Sequence, residues 1–224
     1  MKPYIFIGIM LLSYNFLSAQ DLKKDFVAVY NNYNKQASLS MDVEVKSYTK
    51  GTNNTTIMSG KMRKLGKQYY SKFGTDEFIG NEEYALVVNH DLKTITYKKS
   101  NVFQKERSVD TYVEQLNTWL LNAETTKLLK TEGTKKTYEI IPKETTDLIK
   151  SIEIVLDMKQ KVIDKIIYHY NDNQFVAISK VIINYKNISF KRPESSYFKG
   201  TKYLNIGKKV TLKPKYKNYK LYLQ

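Results

Sequence analysis

Cysteine is absent from the 224 residues. Its absence excludes disulfides, thiolate metal sites and cysteine nucleophiles, and it leaves no thiol to acylate. Histidine occurs only at His90 and His169, far apart and without HxxH or HExxH spacing. No GxSxG, GxGxxG or Walker loop is found. Glu82-Glu83 and Asp76-Glu77 are adjacent pairs whose members point to opposite faces of a strand, so neither forms an acid/base couple. Asn171-Asp172-Asn173 lacks the glycine and the distal glutamate of a calcium loop and reads as a hairpin turn. These absences predict no catalytic residues, no metal, no cofactor and no enzyme.

Long apolar runs are also missing, except at the start. In "MKPYIFIGIMLLSYNFLSAQ", Lys2 precedes an apolar run from Tyr4 to Leu12, and Ser18-Ala19 supplies small residues for cleavage. The run falls short of the roughly 20 residues a spanning helix needs. It reads as a signal peptide over 1–19, cleaved before Gln20, which makes the mature protein exported and soluble.

Positive charge is in excess: the net charge is +15, or +14 once Lys2 leaves with the leader. Between Lys191 and Gln224 ten Lys/Arg face one acid, Glu194, so this stretch alone carries +9. Its tail, "GKKVTLKPKYKNYKLYLQ", presents Lys208, Lys209, Lys213, Lys215, Lys217 and Lys220 among tyrosines. On an exported chain such a strip points to anionic lipid headgroups or an acidic protein partner, not to nucleic acid. A solvated face that only keeps the protein soluble is the plain alternative.

The periodicity changes along the chain. Leu22, Phe26, Val29, Tyr30 and Tyr33 mark an amphipathic helix starting at Asp21. In "SLSMDVEVKSY" Leu39, Met41, Val43 and Val45 alternate with polar residues, which predicts a strand with one dry face. In "SGKMRKLGKQYYSKF" Gly66 punctuates a hairpin; Met58, Gly60 and Met62 share one parity, Lys61 and Arg63 the other. Further strands end at Gly80-Asn81 and cover 83–88 and 92–98. "VDTYVEQLNTWLLNAE", with Val113, Leu116, Leu120 and Leu121, predicts a second helix. A hairpin about Glu132-Gly133 and three final strands follow, turning at Asp157–Lys161 and Asn171–Asn173. In 174–185, Phe175, Val181 and Ile183 fall on one parity and Val176, Ile178 and Ile182 on the other, so that strand is expected to be covered on both faces. Some ten antiparallel strands with two or three helices predict a mainly β (α+β) fold, one large curved sheet or incomplete barrel.

The ordered set of Ser59-Gly60, Gly66-Lys67-Gln68-Tyr69, the hairpin from Gly80 to Tyr97 and the strand from Asn184 to Phe190 resembles the periplasmic outer-membrane lipoprotein carriers of the LolA-like superfamily. The likeness spans most of 21–190. Lys64-Leu65 stands where typical carriers have Arg-Pro, and Leu86 and Val88 stand near the family's aromatics, so no gating arginine is carried over. The resemblance implies a half-barrel over 20–190, closed by helices, with 191–224 as a basic extension on the same domain. It implies a periplasmic carrier or binding protein that holds acyl chains of a lipid or lipoprotein. The cavity would be lined by Leu39, Met41, Val43, Met58, Met62, Tyr69, Leu86 and Ile95. An outer-membrane receptor or inner-membrane complex would be the partner, with transient contact at an anionic membrane surface and no nucleic acid. The alternative is a non-catalytic cell-envelope interaction module docking through the basic strip.

Overall fold

The apolar stripe that begins at Leu22 folds as helix α1, residues 21–35. The protein is described here from a computed structural model, which covers residues 21–99, 118, 120, 123–143, 148–172 and 177–224. The leader expected over 1–19 lies outside these residues. So does the expected second helix, except Thr118 and Leu120, which are helical.

Alternating sequence becomes strand almost throughout: β1 (Ser38–Thr49), β2 (Thr55–Leu65), β3 (Gln68–Phe73), β4 (Asp76–Gly80), β5 (Ala85–Asn89) and β6 (Thr94–Lys98) come first. They are followed by β7 (Ala123–Glu132), β8 (Lys135–Pro142), β9 (Ile149–Asp157), β10 (Val162–Tyr170) and β11 (Ile178–Ser189). The tail adds β12 (Leu204–Asn205), β13 (Thr211–Leu212) and β14 (Lys220–Leu223), with short 3-10 turns at 195–198, 200–202 and 214–216. Twelve strands form one sheet in the order β14-β6-β5-β4-β3-β2-β1-β11-β10-β9-β8-β7, while β12 and β13 pair separately. The sheet is open, ending at β14 and β7, and is not a closed barrel. Gly66 takes a φ of 57° in the β2–β3 turn, a left-handed conformation that glycine adopts at little cost.

The described residues divide into two units. The first holds α1, 45–57, 118, 120, 123–143, 148–172 and 177–185; the second holds 36–44, 58–99 and 186–224. In the first, the register aligns Tyr138, Ile154 and Ile166 across β8, β9 and β10, with Ile140, Ile152 and Tyr168 beside them on the same face. Leu22, Phe26, Val29 and Tyr33 of α1 are buried, each contributing about 2 kcal/mol of apolar burial. Asp25, on the buried side of α1, accepts hydrogen bonds from the Tyr138 hydroxyl (2.5 Å) and Lys136 Nζ (2.7 Å). The Tyr33 hydroxyl accepts the Ile163 N–H at 3.3 Å, where β10 is bulged. Burial pushes this phenol up to about 12, against the Ile163 bond.

β11 departs from the expected two-sided core. Phe175 and Val176 lie outside the described residues, and Ile178, Val181, Ile182 and Ile183 are only half-buried, on both parities.

Candidate functional site

Directly opposed residues in neighbouring antiparallel strands share a face. In the second unit Met62 opposes Ser71, Lys64 opposes Tyr69, and Gly60 opposes Phe73, so Met58, Met62 and Tyr69 point to one side. Phe78, opposite Ser71, joins them. Arg63 and Tyr70 oppose each other on the other side. Arg63 donates to Asp42 Oδ1 at 3.0 Å, which puts Asp42 on that second side. Alternation along β1 then carries Leu39, Met41 and Val43 to the side of Met62. Six of the eight predicted lining residues therefore share one face. Leu39, Met41, Val43 and Met62 are buried, Tyr69 is half-buried, and Met58 is 43% exposed.

Leu86 and Ile95 do not belong with them. Tyr70 opposes Ile79, Ile79 opposes Leu86, and Val88 opposes Ile95, which puts both predicted residues on the face of Arg63. The reason is parity: Gly80 pairs with Ala85 across the 81–84 turn, so Leu86 aligns with Ile79 and not with Tyr69's partner Gly80. There Tyr70, Ile79, Leu86, Val88, Ile95 and Tyr97 form a core with Phe198, Tyr203 and Leu204 of the C-terminal segment. The chain's own tail fills this second face. β14 completes it by pairing in parallel with β6, Leu221 against Ile95.

One charge lies inside that core. Glu77 accepts from the Tyr203 hydroxyl (2.8 Å) and Lys202 Nζ (3.2 Å) on one oxygen. Its other oxygen receives His90 Nε2 (3.2 Å) and Lys72 Nζ (3.3 Å). The other ring nitrogen of His90, Nδ1, lies 2.9 Å from the Tyr219 hydroxyl. Burial by itself would raise the carboxyl, but the contacts from Tyr203, Lys202 and His90 outweigh it and hold Glu77 at about 2. Burial, and then the neighbouring carboxylate, push the Tyr203 phenol upward. A carboxylate so fully engaged is a weak base at neutral pH. The cluster fastens the tail to the sheet. In the sequence Glu77 stands out only as the neighbour of Asp76, and nothing local signals its donors, which come largely from distant residues.

Of the predicted surface lysines, Lys208, Lys209, Lys215, Lys217 and Lys220 are exposed and Lys213 is half-buried. The tyrosines among them differ: Tyr203 is buried, and Tyr216 and Tyr219 are half-buried against the same core. Among the described residues no group of acids and histidines could hold a metal ion.

No family model matches the chain, and no curated protein matches it. Solved structures do. In fold, the chain is similar to an uncharacterized conserved protein from Thermus thermophilus. That match has a TM-score of 0.50 and 5% identity, and it covers 91% of this chain and 99% of the other. The LolA superfamily protein NE2245 from Nitrosomonas europaea matches with a TM-score of 0.36 and 7% identity, covering 83% and 99%. LprF from Mycobacterium bovis matches with 0.40 and 7%, covering 76% and 94%. At 5% identity the likeness to the Thermus thermophilus protein is one of fold alone.

Proposed function

We propose that the protein is an exported, periplasmic carrier or binding protein that holds acyl chains against the methionine-bearing face of its sheet. The observation that carries this reading is the common face of Leu39, Met41, Val43, Met58, Met62 and Tyr69, with Met58 exposed on it. Unbranched, polarisable methionines adapt to apolar shapes of varied length. Leu86 and Ile95 are left out of the lining, because the tail covers them. Binding is driven by burial of the acyl chain, near 0.8 kcal/mol per methylene, and release occurs to a receptor that holds the chain more tightly. The cargo is an acyl-bearing lipid or lipoprotein, and the receptor an outer-membrane or inner-membrane component. No catalytic step is assigned.

Native mass spectrometry and lipid extraction of the purified mature protein test this. Bound acyl species are expected, and Met62→Trp, which fills the middle of the face, should remove them. A protein that purifies empty and has no affinity for acyl probes would overturn the proposal. A second reading, docking on an envelope complex through the basic strip, draws on the exposure of Lys208, Lys209, Lys215, Lys217 and Lys220. It requires a salt-sensitive association that survives Met62→Trp and is lost when these lysines become glutamate.

A further inference from the structure

The basic strip is not uniform. Where β12 and β13 pair, Leu204 with Leu212 and Asn205 with Thr211, the chain reverses through residues 206–210. A cleft of about 410 Å³ opens beside this reversal, lined by Thr201, Leu204, Asn205, Ile206, Lys209 and Lys213, together with Gly207. Its volume falls in the usual range for small-molecule sites. No carboxylate lines it, and among the described residues neither Lys209 nor Lys213 forms an ion pair. This sets them apart from Lys202 in the same segment, whose charge is taken up by Glu77. The N–H groups of Gly207, Lys208 and Lys209 donate to no backbone acceptor among the described residues, and an added Cβ at Gly207 would meet nothing within 4 Å. The cleft therefore combines two uncompensated cations and Thr201 with one half-buried apolar side chain, Ile206, while Leu204 beneath it is fully buried in the core.

We infer that this cleft binds a phosphate ester, with the phosphate between Lys209 and Lys213 and the carbon skeleton resting on Ile206. Two cations and backbone N–H groups suit a compact, multiply accepting anion, and the apolar Ile206 side chain suits the ester in preference to bare phosphate. The inference goes beyond the acyl-chain reading and does not depend on it. The shared chemistry is that of a phospholipid headgroup and of a soluble phosphorylated small molecule.

The test uses the full mature chain and two double variants that change charge equally, Lys209→Glu with Lys213→Glu and, as control, Lys215→Glu with Lys217→Glu. One arm titrates sn-glycerol 3-phosphate and follows the amide resonances of Gly207 to Lys209. The other sediments the protein with phosphatidylglycerol vesicles against phosphatidylcholine vesicles. The cleft variant should bind at least about tenfold more weakly than the unmodified protein, and the control within about threefold. Selective loss in the first arm identifies a soluble ester as ligand, and selective loss in the vesicle arm alone identifies the headgroup. Equal loss in both variants, or no binding in either arm, overturns the inference. Acyl loading, measured separately, should be unchanged in the cleft variant, so that failure of one proposal is distinguishable from failure of the other.

Discussion

In the first unit the buried carboxylate belongs to the covering element, Asp25 on α1, and its tyrosine, Tyr138, belongs to the sheet. In the second the roles are exchanged: Glu77 sits in β4 and Tyr203 in the covering tail. Both carboxylates also take a lysine, Lys136 in one case and Lys202 in the other. The covers themselves differ. α1 is a continuous helix whose apolar stripe is buried along its length, so burial and internal backbone bonds hold it largely unaided. The tail is a succession of short 3-10 turns and short strands, whose backbone bonds close local turns and whose only long strand partner among the described residues is β6. Side-chain contacts add to these: among the described residues Glu77 takes bonds from Tyr203, Lys202, His90 and Lys72, and Asp25 from Tyr138 and Lys136.

The contrast predicts that truncating Glu77 has the largest effect. Glu77→Ala leaves Lys202, Lys72 and Tyr203 around an empty position and should cost about 3 kcal/mol in urea unfolding. It should also open residues 191–224 to protease before α1; a tail as resistant as in the unmodified protein would break the comparison. Removing one hydroxyl is a milder test. Tyr203→Phe and Tyr138→Phe should each cost about 2 kcal/mol, since each deletes a hydrogen bond to a charged acceptor. Hydrogen exchange should rise in 203–213 for the first and in β8–β9 for the second, and effects that cross between the units would contradict separate fasteners.

Acid should act in the same direction as truncating Glu77, though less strongly, because a protonated carboxyl keeps part of its hydrogen bonding. The folded value of Glu77, about 2, lies below its ordinary 4.5. Its contribution is therefore present above about pH 4.5 and is lost as pH falls towards 2. A urea-midpoint profile should decline over that window and flatten in Glu77→Gln. The smallest effect belongs to Lys67→Ala. Its partner is Glu82, 2.6 Å away, but both side chains are largely in solvent, so unfolding should not change measurably.

Much of the sheet was legible because alternation and turn residues act locally. The strand over Ser38–Thr49, the hairpin at Gly66 and the turn at Gly133 follow from side-chain parity and from residues that tolerate a left-handed backbone. The candidate face was legible as far as parity could be counted within a strand and across the short turn at Gly66. It failed at Leu86 and Ile95, where the register across 81–84 decides the side and composition does not reveal it. The tail was the least legible. Lys208 to Lys220 read as a charged strip, because nothing local says that Tyr203, Tyr216 and Tyr219 turn inward or that residues 220–223 pair in parallel with a strand far upstream. Such information lies in long-range contacts, and single-sequence periodicity cannot carry it.

The parallel pairing of β14 also makes a late stretch of the chain part of an early strand. Residues 220–223 cover the β6 edge, which would otherwise present unpaired backbone groups, while Phe198, Tyr203 and Leu204 pack on Leu86, Val88 and Ile95. Removing residues 191–224 would therefore bare a strand edge and an apolar flank of this unit together, and residues 220–223 act as the stitch that closes it.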